Sequence, residues 1–205
     1  MLPASIRCLS LKEIPNVPDV VEDGDTFHAN AALKCMGVGR YLANSPDLAS
    51  LRNIWGDWAV LADDSGLEVD ALSGAPGVRS ARFAAGDDAS IVGNTPDSAN
   101  NEKLLRLLAD VSLERRAARF RCVLAWSRMS DAGSLLDPLF CEGACEGRVL
   151  IQGSGAGGFG YDPLFAPTGY DLSFAELGAA VKNQLSHRAA AFQQMRVLLT
   201  AERWS

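Results

Sequence analysis

Apolar and polar positions along the chain follow two rhythms, and each predicts its own elements. Residues 58–62, "WAVLA", form an apolar run that predicts a buried strand ending at Asp63 and Asp64. "GLEVDAL" alternates apolar and acidic residues and predicts a second, short strand. In "ARFRCVLAWSRM", Phe120, Cys122, Leu124 and Trp126 alternate with Arg119, Arg121, Val123 and Ala125, a strand with one polar end. A further strand is predicted around "CEGRVLIQ". The helical rhythm runs through "FHANAALKCMGVGRYLA", where Asp25 or Thr26 can cap the first free amides. It returns in "TPDSANNEKLLRLLADV", with Thr95 as cap and proline in the first turn, and in "QLSHRAAAFQQMRVLLTAERW", capped by Ser186. Between these, Pro15, Pro18 and Gly24 keep "EIPNVPDVVEDGD" irregular after the short apolar segment "IRCLSL". "SGAPGVRSARFAAGDD" reads as an ordered loop over a site or, more plainly, as a surface linker. Strands and helices alternate without an internal repeat or low-complexity linker, so the fold class is α/β.

Composition narrows the function classes. A chain of 205 residues, 48% hydrophobic and 21% charged, can bury a core without disulfide staples, as one large domain or two small lobes. Its net charge of −6 argues against a partner that is polymeric nucleic acid, but leaves room for a small anion where cations gather locally. Cys8, Cys35, Cys122, Cys141 and Cys145 are an odd, scattered set that fits reduced thiols in a cytosolic protein. Cys141 and Cys145 lack a second cysteine pair, and His28 and His187 are the only histidines, so structural zinc is not expected. No apolar run reaches membrane-spanning length, and the first residues do not read as a signal peptide; the expectation is a cytoplasmic protein without a membrane partner.

Three stretches carry candidate chemistry. Neighbouring carboxylates that follow an apolar run need a cation, a hydrogen-bond donor or open water, so Asp63 and Asp64 suggest a cation site. "GAGGFG", residues 155–160, has the spacing of a dinucleotide fingerprint, but Pro163 and Pro167 deny the helix that such a fingerprint requires. What the glycines do provide is exposed amides and close approach for a flat ligand, beside Phe159, Tyr161 and the acceptor Asp162; a tight loop is the plainer alternative. "KNQLSHR" gathers Lys182, His187 and Arg188 at the start of the last helix, which is an anion site or simply a solvated helix face.

Taken together, "GDTFHANAALK", "LADDSGLEVDALSGAPGVRSARFA", "RFRCVLAW", "GGFGYDPLF" and "KNQLSHRAAAF" resemble, in this order, the motifs of the inosine triphosphate pyrophosphatase family. The resemblance runs from about Ile6 to the carboxyl terminus. It implies an elongated, two-lobed α/β fold with a long central mixed sheet and a nucleotide cleft, residues 1–205 forming a single domain. It also implies a homodimer that uses Mg²⁺ to split ITP, dITP or XTP into the monophosphate and pyrophosphate. By motif, Asp64 matches the proton acceptor and metal ligand, with Asp63 beside it as a further metal ligand, and Ser65 matches a substrate contact. Phe159, Gly160, Tyr161 and Asp162 match the nucleobase-binding stretch, and Lys182, His187 and Arg188 further substrate contacts. Preference for a 6-oxo purine then follows from a pocket whose donors would face the amino group of adenine.

Two departures accompany the resemblance. The family's first strand and its Thr/Ser-x-Asn-x-x-Lys phosphate loop have no counterpart after Met1, so the chain reads as amino-terminally shortened. The family's glutamate before the asparagine of "TF-x-E-N" is Ala29 here, followed by Asn30, with Asp63, Asp64 or Glu68 available to compensate. The alternative to a working enzyme is therefore a catalytically impaired nucleotide-binding or dimer-partner protein of the same fold.

Overall fold

The computed structural model describes residues 7–45, 58–86, 93–130 and 134–201. The helices are α1 (Phe27–Asn44), α2 (Asp97–Leu107), α3 (Phe174–Leu185) and α4 (His187–Ala201), and the strands are β1 (Ala59–Val69), β2 (Ala117–Arg128), β3 (Leu139–Val149) and β4 (Phe165–Pro167). The strands form one sheet in the order β1-β2-β3-β4. β3 and β4 are antiparallel, with Arg148 opposite Ala166. The α/β class stands. The chain divides into two compact units, with boundaries inside β1 after Asp64, inside β2 after Cys122, inside β3 after Cys141 and inside α4 after Ala191.

The first unit takes its helix from the predicted signal: Thr26 Oγ1 accepts a hydrogen bond from Ala29 N at 3.1 Å and starts α1. The buried positions Phe27, Ala31, Cys35 and Val38 recur every three or four residues, one face of a 3.6-residue helix. Cys35 Sγ lies 3.4 Å from Val60 O of β1, and burial pushes its thiol pKa up to about 11. That fits a packing residue rather than a reactive one.

The second unit holds a continuous core. Leu67 and Val69 of β1, Leu104 and Leu108 at α2, Ala118 and Phe120 of β2, Val149 of β3, and Leu164, Phe165 and Phe174 all pack into it. Phe120 meets Phe165 edge-on at a centroid distance of 4.7 Å. Arg116 is buried, yet it is satisfied: its guanidinium donates to Leu108 O at 2.7 Å, Val111 O at 2.9 Å and Leu150 O at 3.0 Å. It thereby closes the carboxyl end of α2, whose last carbonyls lack helical partners. At Gly143 in β3, a Cβ would sit 2.0 Å from His187 O and 2.4 Å from Ala191 N, so glycine alone lets the first turn of α4 lie against the strand.

Several predicted elements shift. The two short strands before and after the Asp pair are one strand of 11 residues, so Asp63 and Asp64 lie within it rather than at its end. The strand expected from Cys145 begins at Leu139 and stops at Val149. β2 alternates only as far as Arg121 and is then buried from Cys122 to Ser127. Thr95 does not cap α2: Pro96 is the cap residue, and Thr95 Oγ1 bonds Asn100 Oδ1 at 2.6 Å instead. The last helix starts after Ser186 as expected, with Ser186 capping α4 by accepting from Ala189 N at 3.2 Å, while Gln184 and Leu185 belong to the end of α3. Residues 73–86 are ordered, with a short turn of helix at Asp70–Leu72 before them and a 3-10 segment at Gly77–Ala85; residues 87 and 88 of that stretch lie outside the described residues.

Candidate active site

In the first unit the site is built around Asp64. Burial raises its pKa above the usual carboxylate range, against the opposing pull of Lys34. Lys34 Nζ donates to Asp64 Oδ1 at 2.8 Å and to Glu22 Oε2 at 3.0 Å. Burial works against the charge on Lys34, but its two carboxylate partners outweigh that effect and raise its pKa. Asp64 Oδ2 and Asn30 Nδ2 are both buried and make no hydrogen bond of good geometry among the described residues. Asn30 nevertheless eases the ionisation of Asp64, and its Oδ1 is held by Gly24 N at 2.8 Å. Ion pairs with this degree of burial persist only where the geometry is good, and the leftover oxygen is an acceptor waiting for a donor or a cation.

Successive residues of a regular strand project to opposite faces, and the two carboxylates differ in setting accordingly. Asp63 is half-buried, Asp64 buried. Ser65, the next residue of β1, is half-buried and opens the second unit. The carboxylate that does share a partner with Asp64 is Glu22, from the irregular acidic loop.

In the second unit the stretch 158–162 is held residue by residue. Asp162 is buried, and its Oδ2 accepts from Phe159 N at 2.9 Å and from Lys182 Nζ. A Cβ at Gly158, where φ is +77°, would fall 2.1 Å from that oxygen, so only glycine permits the turn. Gly160 N donates to Asp97 Oδ2 at 2.6 Å, and Asn101 Nδ2 donates to Gly160 O at 3.0 Å. Tyr161 is buried and donates its hydroxyl to Ser80 O at 2.9 Å; burial, and then the charge of Asp97, push its pKa up and keep it neutral. Ser80 in turn accepts from Leu67 N at 2.9 Å, tying this stretch to β1.

Phe159 is the exception, with 63% of its surface exposed. Lys182 Nζ lies 4.2 Å from its ring centroid and the Arg188 guanidinium 5.8 Å. An exposed ring beside two cations suits a flat ligand that also carries negative charge. His187 is buried and stacked on Phe120 at 4.9 Å. Its Nε2 lies 3.3 Å from Arg188 Nη1, and since a guanidinium only donates, Nε2 is the acceptor. The second unit therefore brings Phe159, Gly160, Tyr161, Asp162, Lys182, His187 and Arg188 into one neighbourhood, while Asp64 and Asp63 belong to the first.

Sequence reasoning missed Glu22, Lys34 and Asn30 on one side and Ser80, Asp97 and Asn101 on the other. A buried carboxylate requires a cation partner, and Lys34, one turn after Asn30 on the buried side of α1, is the signal that would have found it.

These features define an α/β protein with a carboxylate–lysine centre and a glycine-rich loop suited to a flat anionic ligand. The chain belongs to the Ham1 family, whose profile matches residues 1–198. It is 46% identical over 196 residues to the dITP/XTP pyrophosphatase of Rhodopirellula baltica, covering 94% of this chain and 81% of that protein. It is 43% identical over 187 residues to the protein of the same name from Shouchella clausii, covering 91% and 81%. Among solved structures it resembles the Staphylococcus aureus Ham1 protein with a TM-score of 0.76 at 34% identity, over 95% of this chain and 87% of that one.

Proposed function

We propose that this chain hydrolyses deaminated purine nucleoside triphosphates, ITP, dITP and XTP, to the monophosphate and pyrophosphate. The observation that carries the reading is Asp64, a buried carboxylate of raised pKa with one oxygen on the Lys34 ammonium and only the Asn30 amide to ease its ionisation otherwise. The printed names of the relatives, dITP/XTP pyrophosphatase, support it. A carboxylate of raised basicity is suited to orient a water and take its proton as the water attacks phosphorus. Oδ2, the oxygen that Lys34 does not take, is the one left for that role. Lys34 keeps Oδ1 fixed meanwhile, so the basic oxygen is a defined one.

Ham1-family nucleotide pyrophosphatases generally depend on a divalent metal, and Mg²⁺ is the ion we assign. Among the described residues no group of three or more His, Cys, Asp or Glu side chains is placed to hold a metal. Mg²⁺ does not need one: it commonly takes one or two carboxylates and fills its shell with waters and substrate phosphates. Asp64 and Glu22 fit that donor set, and the ion would supply neutralisation of the phosphate charge. Ala29, where the related motif has glutamate, lies in the first turn of α1, and its backbone serves the Thr26 cap. Glu22 supplies the second carboxylate instead, which favours a working enzyme over an impaired binder.

Base recognition falls to the stretch 158–162, with Phe159 stacking on the purine and Lys182 and Arg188 offsetting charge. A homodimer is part of the same proposal. The test is pyrophosphate release from ITP, XTP and ATP with Mg²⁺ and with chelator. Rapid release from ITP and XTP, slow release from ATP and loss with chelator are expected. Equal rates on ATP and ITP, or orthophosphate as the first product, would overturn it.

A further inference from the structure

Gly160 is held at both of its polar groups by one face of α2. Asp97, the first residue of that helix, accepts from Gly160 N at 2.6 Å, and Asn101, four residues on and therefore above it on the same face, donates to Gly160 O at 3.0 Å. The residue they grip is conformationally free: glycine at φ +61°, with nothing within 4 Å of where a Cβ would be. Glycine populates both hands of φ about equally, so side-chain sterics do not set the direction of this peptide; within the loop it is held by the turn bond from Asp162 N to Phe159 O at 3.2 Å, and from outside the loop by α2. Phe159 precedes it and Tyr161 follows it, so the same orientation decides where the exposed ring and the loop's amides point. Asn101 meets this task at a cost, since its Oδ1 is buried with no hydrogen-bond partner among the described residues. A residue kept for packing alone would not need its amide turned toward Gly160.

We infer that Asp97 and Asn101 are positioning residues that set purine selectivity by fixing the Gly160 peptide, neither of them touching the reacting phosphates. The inference rests on the proposed reading of the stretch 158–162 as the base-recognising loop. Selectivity between a 6-oxo and a 6-amino purine depends on groups aimed in one direction; with Gly160 N and O both taken by α2, the loop backbone is fixed and so is the aim of the flanking residues, whereas a released Gly160 lets that aim vary. Loosening the grip should therefore cost discrimination first.

The experiment compares the wild type with Asp97→Ala, Asn101→Ala and the conservative Asp97→Asn, whose amide oxygen can still accept from Gly160 N. Three quantities are read: dissociation constants for IMP and AMP by calorimetry, kcat and KM for ITP and ATP, and hydrogen exchange of the Gly160 amide. In the two alanine variants the IMP-over-AMP preference should fall about three- to tenfold, KM for ITP should rise more than kcat falls, and Asp97→Ala should speed exchange at Gly160. Asp97→Asn should recover most of the preference. Faster exchange with an unchanged IMP/AMP ratio would overturn the inference, as would a ratio that Asp97→Asn fails to recover in a folded variant. A wild type that releases no pyrophosphate from ITP and shows no IMP preference removes the proposed function and this inference together, whereas an active, selective wild type whose ratio survives both alanine variants removes the inference alone.

Discussion

Replacing Lys34 with methionine removes the cation while keeping the apolar stem, and so isolates what the charge does for Asp64. Lys34 bridges two carboxylates, Asp64 at 2.8 Å with 10% of its side chain exposed and Glu22 at 3.0 Å with 36% exposed. Removing one partner of a fully buried pair costs about 3–5 kcal/mol. Lys34 itself keeps 24% of its side chain exposed, so solvent screens part of that, and about 2 kcal/mol is expected. For a chain of this length the loss corresponds to roughly 4–8 °C in Tm. The sign of the pH dependence follows from Asp64. Burial already raises its folded pKa, and without Lys34 it rises further above the unfolded value. The folded variant then holds a proton that the unfolded chain releases, so its stability falls as pH rises through that window and recovers as pH falls toward the ordinary carboxylate range. Lys34 acts at the other end: its folded pKa is raised, so its contribution is present below the ordinary lysine value and is lost as pH rises through the folded one. The gap in Tm between wild type and Lys34→Met should therefore be widest near neutral pH and narrow toward both acid and strong alkali. Adding Asp64→Asn to Lys34→Met should restore part of the loss, because the amide carries no charge to desolvate. Calorimetric scans of wild type, Lys34→Met and the double variant from about pH 4 to about pH 12, past the ordinary lysine value, provide the check. A Tm for Lys34→Met within 1 °C of wild type at pH 7.5, or a gap constant across the range, would refute the reasoning.

Two further outcomes follow from the same geometry. Asp64→Asn should lower the turnover of ITP by about 10²–10⁴-fold with the fold intact, since the amide cannot take a proton, whereas Asp63→Asn, on the opposite strand face, should lower it far less; steady-state kinetics with circular dichroism on both variants decide this. Gly158→Ala should destabilise the chain by about 3 kcal/mol, combining left-handed strain with loss of the Asp162 hydrogen bonds, while Gly153→Ala, whose nearest neighbour would be 3.5 Å away, should be nearly silent in the same thermal scan.

How much of the fold could be read depended on whether the deciding force was local. The start of α1 was legible because Thr26 caps it with its own side chain, and the start of α4 because Ser186 does the same. The boundary between β1 and its supposed successor was not, because "DDSG" has poor strand propensity and is held extended only by its neighbours in the sheet. α3 went unread although its capping box is explicit: Ser173 accepts from Glu176 N at 3.2 Å, and Glu176 Oε2 accepts from Ser173 N at 2.8 Å. Gly178, at φ +77° inside that helix, breaks the periodicity that would have drawn attention to it.

The site divides along a similar line. Phe159, Asp162, Lys182 and Arg188 lie in two short segments whose composition alone marks them, and among these four the structure adds that the Lys182 ammonium reaches both the ring and the Asp162 carboxylate. The carboxylate pair is different. Two adjacent acids in the sequence suggest a shared cation, but adjacency in a strand sends side chains to opposite faces, and the acid that shares Lys34 with Asp64 comes from a separate element. Glu22 meets Asp64 across 42 residues of chain, from a loop with no pattern to mark it, and is found only through the lysine that bonds to both. The absence of a carboxylate at Ala29 therefore says little about metal binding by itself. What matters is whether a second acid reaches the Asp64 centre from anywhere, and Glu22 does.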